Sequence, residues 1–232
     1  MPRETFDQEL RELQDELLNL GSMVEQAVVD SVASLKQRDR EWSERLVKQD
    51  RLLNAMRYDL ESRALTLIAS QQPVARDLRT IAAVLSLAAE LERIGDYAKG
   101  IAKINVMMGD EPLLKPLIDL PRMADKTRDM LHRSLQAFAE GDVELARAIP
   151  REDDEVDCLY DQVYRELLTH IMSNPRNIDR ATYLLWVAHN LERAADRVVN
   201  ICERVVFTVT GNLVEITSEG KKETTYLGRE AT

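Results

Sequence analysis

Glycine and proline are scarce in this chain, eight and seven residues of 232, and aromatic side chains make up only 5%. So few turn-formers and large flat side chains argue against a sheet-rich fold. The two cysteines, Cys158 and Cys202, lie outside any C-x-x-C spacing, so no disulfide framework or redox motif is encoded. Both are expected to be small buried hydrophobes. No stretch reaches the roughly 18 uninterrupted apolar residues of a membrane span. No apolar run follows the arginine at position 3 either, so a soluble, cytoplasmic chain is expected. Positive charge is in deficit: 31 Lys and Arg against 41 Asp and Glu, a net charge of −10. That balance disfavours nucleic acid, whose backbone is bound by cationic side chains. A Gly-rich phosphate loop and a nucleophile elbow are missing, as is the Glu-x-x-His tetrad of di-iron bundles.

What remains is 44% apolar and 31% charged residues, a balance that suits long amphipathic helices. Leu10, Leu13, Leu17, Leu20, Val24, Ala27 and Leu35 recur at helical spacing. Asp39 reads as the N-cap of a second helix through Leu46, Leu53, Leu60 and Ile68, which Gln71-Gln72-Pro73 ends. A third helix runs from about Ala75 to Met108, and Gly109 to Pro116 is a linker with one glycine and two prolines. The pattern then begins again, with a fourth helix through Met123, Leu131 and Phe138, Asp142 as a cap, a fifth ended by Asn174-Pro175, and a sixth from about Asp179 to Phe207.

Leu35/Phe138, Asp39/Asp142, Leu46/Ile149, Asp50/Asp153 and Thr66/Thr169 align at one offset, 103 residues, and Glu92/Glu192 at 100. The fold class expected is therefore all-α, two tandem similar three-helix bundles made of six long helices. Residues 1–108 form the first bundle, 109–118 the linker, 119–210 the second bundle, and 211–232 a flexible tail in which Leu213 to Thr217 is extended. Helices near thirty residues would be about 45 Å long. Pro150 falls inside the fifth helix and should kink it, or restart it with Glu152, Asp153 and Asp154 near its positive end.

The repeat carries chemistry. LERIGDY (Leu91 to Tyr97) returns as LERAADR (Leu191 to Arg197), so Glu92/Asp96 and Glu192/Asp196 each stack two carboxylates one helical turn apart. At about 100° per residue, Glu192, Asp196 and Glu203 flank the apolar face, while Arg193, Arg197 and Arg204 lie further round. A solvated face more often interleaves the two signs. Asp153, Asp157 and Asp161 form a second acidic column, and folding at Asn174-Pro175 would bring it level with Glu192/Asp196. In the first half, Asp50 and Asn54 would face Glu92/Asp96. Carboxylates gathered at one height repel unless protonated, hydrated or neutralised, and an all-oxygen set prefers hard cations such as Mg, Mn, Ca or oxidised Fe. The plainer alternative is that both columns are solvated surface. His189 lies three residues before Glu192, but its counterpart is Ala89, so it reads as a rim residue.

QQPVARDLR (Gln71 to Arg79), AELERIGDYAKGIAK (Ala89 to Lys103), LERAADRVVNICE (Leu191 to Glu203) and GSMVEQAV (Gly21 to Val28) together resemble the PhoU family of phosphate-uptake regulators. The resemblance spans roughly residues 6 to 208 and implies a PhoU-like fold of two similar three-helix bundles. It implies a cytoplasmic, non-enzymatic adaptor between a phosphate ABC transporter ATPase and a membrane sensor histidine kinase. Membrane association would then come only through those partners. It further implies metal bound at E/D-x-x-x-D motifs, here Glu92/Asp96 and Glu192/Asp196, with Asp50, Asp153 and Asp157 as facing ligands. The metal would be a divalent or trivalent ion, Mg, Mn, Zn or Fe. Asn54 and Ala194-Ala195 depart from the pattern, so the two sites are not expected to be equal. Exposed stripes on long helices leave room for a homodimer. From a different class, a carboxylate metalloenzyme or metal-storage bundle is the competing reading.

Overall fold

The computed structural model describes residues 3–216 and 223–227. The first half holds α1 (Arg3–Gln37), α2 (Arg40–Gln71) and α3 (Ala75–Met107). The second holds α4 (Asp119–Glu140), a short α5 (Val143–Ala148), α6 (Asp153–Ser173) and α7 (Ile178–Thr210). Both halves enter their second helix through the same device. The Asp39 side chain accepts from the Trp42 amide at 2.8 Å, and Asp142 accepts from the Leu145 amide at 2.9 Å. Each satisfies an amide that the first turn leaves without a partner. The residue before each cap is left-handed, Arg38 with φ 58° and Gly141 with φ 69°.

Pro150 does break the fifth helix. A 3-10 turn spans Ile149–Glu152 between α5 and α6, with Pro150 in its first turn, where a missing N–H costs nothing. Of the two expectations the restart is met: α6 begins again with Asp153, Asp154 and Glu155 in its first turn, where the helix dipole favours anions.

Two bundles with separate cores would leave α3 and α7 polar on one side. They are not. The most extensive helix pairing in the molecule is α3 against α7, and α1 packs on α4, so one continuous apolar core runs through both halves. Alanines make the α3 surface thin: Ala83, Ala88, Ala98 and Ala102 are all buried. Gly21 does the same for α1. A Cβ there would run into the Leu135 Cδ1 methyl of α4, so a larger residue would have to displace that side chain where the two helices meet. Helices α2 and α6 remain outermost, each packed mainly on its own half. Cys202 is buried in α7 as expected, whereas Cys158 is exposed: the buried stripe of α6 runs through Val156, Val163 and Leu167, and Cys158 falls off it.

The stretch after α7 is extended over Leu213–Ile216, within the segment expected to be so. Gly211 closes α7 with φ 78°, and Leu213–Ile216 (β1) pairs antiparallel with Glu223–Leu227 (β2). Val214 is buried, and the Ile216 amide donates to Glu203 Oε1 at 2.8 Å. Glu203, which the wheel sets beside Glu192 and Asp196, is thus occupied by the hairpin. Thr217, the last residue of the expected extended stretch, lies outside the described residues.

Candidate functional site

The outer helix α6 lays a carboxylate column beside the Glu/Asp pair of α7, and α2 brings the single carboxylate of Asp50 beside that of α3. In the second half, Asp153 at the start of α6 is only 7% exposed. Burial and repulsion from Asp157, Asp196, Glu192 and Asp154 push its carboxyl up to about 7. Burial, then repulsion from Asp196 and other neighbours, raises Asp157 as well. Burial and Asp196 raise Glu192, partly offset by His189. These mutual effects mean that Asp153, Asp157, Glu192 and Asp196 share one electrostatic neighbourhood, as the helix heights predict.

Counter-charge is sparse there. The nearby bases of α4 are engaged elsewhere: Lys126 and Arg133 bind Glu152 at 2.6 and 2.7 Å. Burial alone would raise the Glu152 carboxyl, but those two bonds outweigh it and hold it below the usual carboxylate range. Arg193 stands 4.0 Å from Asp196, beyond hydrogen-bond reach. Glu192 Oε2 is buried and lacks a hydrogen-bond partner, since His189 Nδ1 lies 3.3 Å away without bonding alignment. His189 itself is exposed and tilts against Tyr160, a rim residue as expected. Among the described residues, no three His, Cys, Asp or Glu side chains converge closely enough to hold a metal ion. The carboxylates are neighbours but are not drawn to a common point.

The first half is built differently. Asp50 of α2 is 5% exposed, and the Lys99 ammonium donates to its Oδ2 at 2.7 Å and to Asp96 Oδ1 at 3.1 Å. The Asn54 amide donates to Asp50 Oδ2 at 3.1 Å. The hydrogen bond that Lys99 donates to Asp50 raises the Lys99 pKa against the effect of burial, with Asp96 adding to it. Glu92, one turn earlier on α3, joins neither ion pair. A cavity of about 240 Å³ between α1, α2 and α3 opens beside Asp50 and Lys99, with Gln26, Asp30 and Gln49 on its wall. Lys99 is the functional residue that sequence reasoning missed. It lies inside the quoted AKGIAK run, three residues past Asp96, where its counterpart at the offset of 100 is Val199. That spacing was the available signal.

The arginine strip of α7 has a structural partner that one helix could not disclose. Arg197 reaches Glu90 of α3 at 3.5 Å, and Asn200 donates to the same Glu90 carboxylate at 3.4 Å. Arg197 stands apart from the acids of α7 because it faces the other half of the molecule.

Two three-helix units sharing a core, each with an outer carboxylate helix beside a Glu-x-x-x-Asp turn, define an all-α duplicated bundle protein. The PhoU domain family matches it twice, over residues 17–104 and 120–205, and the chain belongs to that family. The chain is 34% identical to a phosphate-specific transport system accessory protein PhoU homolog of Clostridium acetobutylicum, over 93% of this chain and 99% of that one. It is 36% identical to a homolog of the same name from Caulobacter vibrioides, over 94% of each chain. The crystal structure of the phosphate transport system regulatory protein PhoU from Streptococcus pneumoniae superposes with a TM-score of 0.83 at 32% identity, covering 90% of this chain and 99% of that one. These relatives are named as accessory and regulatory proteins, and the chain is of that non-enzymatic kind. Among the described residues, no helix is long and apolar enough to cross a membrane.

Proposed function

We propose that this protein regulates phosphate uptake and phosphate-starvation signalling in the cytoplasm, as a non-enzymatic adaptor between a phosphate ABC transporter ATPase and a membrane sensor histidine kinase. The observation that carries this reading is the PhoU domain match to both halves, with relatives named as phosphate-specific transport accessory proteins along nearly their whole length. A rigid double bundle suits an adaptor, because its long outer helices offer two separate faces. The exposed Tyr164, Leu168 and Met172, four residues apart on α6, offer an apolar stripe to a partner or a second copy of the chain.

Metal belongs to the same reading. The second-half cluster suits a hard cation: four carboxylates, a buried Asp153 and an orphaned Glu192 oxygen, with the nearby α4 bases committed elsewhere. Asp153, Asp157, Glu192 and Asp196 would hold the ion after side-chain rotation, and the ion would neutralise their repulsion and tie α6 to α7. The first-half cluster fits poorly, since its carboxylates already hold Lys99.

Deleting the gene should derepress phosphate-starvation genes in phosphate-replete cells, and unchanged reporter output would reject the regulatory role. A pull-down from such cells should recover the transporter ATPase and the kinase; recovery of neither would reject the adaptor role. Adding Mn or Mg after chelation should raise the melting temperature, and Asp196→Ala should abolish the rise. A melting temperature indifferent to metal in the unmodified protein would reject a tight site.

A further inference from the structure

The two halves are duplicates in backbone but not in charge. Two differences at equivalent positions act in one direction. Asp157 of the second half corresponds to Asn54, whose amide donates to Asp50 at 3.1 Å instead of offering oxygen. Val199 corresponds to Lys99, whose ammonium lies 2.7 Å from Asp50 and 3.1 Å from Asp96. As a result, Asp153 stands among four further carboxylates, whereas Asp50 stands against a cation and an amide donor.

We propose that Lys99 is the resident cation of the first-half site, an ammonium supplied by the chain itself, so that metal loads only in the second half. The inference rests on the second-half cluster being a metal site, and deepens that reading. The ammonium lies against oxygens of both Asp50 and Asp96, which a metal would have to take. A divalent ion entering beside it would place three positive charges within a few ångströms, and swinging Lys99 out would break two charge-assisted bonds. Access is not the obstacle, since the cavity of about 240 Å³ opens onto Asp50 and Lys99. The consequence is an asymmetric molecule. The α2–α3 joint is held by a tethered cation that cannot be lost, and the α6–α7 joint by one that exchanges with solution. Only the second half then responds to metal supply.

The test is Mn(II) titration of the full chain after chelator dialysis, with free Mn(II) read by electron paramagnetic resonance. Wild type should bind Mn(II), Asp196→Asn should lose that binding, and Lys99→Met should bind more Mn(II) per chain than wild type. Lys99→Met combined with Asp196→Asn should bind where Asp196→Asn alone does not, while Lys99→Arg should match wild type. Equal binding by wild type and Lys99→Met overturns the assignment to Lys99. So does Asp196→Asn that keeps wild-type binding and loses it on Asp50→Asn, a result that decides the matter even if Lys99→Met fails to fold. Binding by Lys99→Met with none by wild type would instead overturn the second-half metal site and support the role of Lys99.

Discussion

Replacing Asp153 by asparagine in metal-free protein should stabilise it at pH 8 and leave it unchanged near pH 4. The folded carboxyl titrates at about 7 against an ordinary 3.8, a difference of about three pH units. At 1.36 kcal/mol per unit, the ceiling is about 4 kcal/mol. Water at the rim, where Asp157 and Asp196 are exposed, screens part of the repulsion, so about half of that is the usable figure. Asp153 also opens α6, where the helix dipole favours a negative charge by roughly 0.5 kcal/mol that asparagine forfeits. The net expectation is a gain of roughly 1–2 kcal/mol. Its sign follows from linkage. A carboxyl raised on folding contributes full stability below its unfolded value, and that contribution is lost as pH rises through the folded value. The advantage of Asp153→Asn over wild type should therefore grow between about pH 4 and 7 and be flat above. Urea unfolding in chelator, followed by circular dichroism at pH 4.5 to 8.5, measures it directly. Saturating Mn(II) should reverse the order, because wild type then gains binding free energy that asparagine weakens. A variant less stable than wild type at pH 8 in chelator would refute the account of mutually repelling carboxylates around Asp153.

Other substitutions test the remaining links. Asp50→Asn keeps the shape but removes the buried anion that Lys99 bonds; Asp96 still pairs Lys99, so the expected loss is about 1–2 kcal/mol, read as a urea midpoint shift independent of chelator. Gly21→Leu drives a side chain into Leu135 where α1 meets α4 and should cost at least 2 kcal/mol, whereas ordinary surface helix changes cost about 0.5 or less. Leu191→Ala empties a fully buried position in the shared core and should cost about 3 kcal/mol, with a single unfolding transition if both halves unfold together. Two separated transitions would contradict the continuous core.

Much of the molecule was legible because its signals are local or repeated. Asp39 and Asp142 announce helix starts because a cap needs only its own next turn, and both caps are made. The 3.6-residue spacing of leucines fixes helices whatever they pack on, and the offset of 103 residues makes each half a check on the other. The acidic site of the second half was legible for the same reason: hairpin geometry sets which residues face each other across Asn174-Pro175. Cys158 was misread because a single cysteine carries no period of its own, and only the narrow buried stripe of α6 decides its exposure.

The sequence by itself determined the six-fold helical pattern, its duplication, the break at Pro150 and the repeated Glu-x-x-x-Asp turns, all set within a helix or between neighbours in the chain. Tertiary structure decided that the two bundles share one core through α3 and α7, and that Arg197 answers Glu90. It also decided that Lys99 answers Asp50, 49 residues away, while among the described residues no lysine or arginine pairs with the matching Asp153. Charge compensation is a matter of distance in space, and a pattern along one helix records only which way a side chain points.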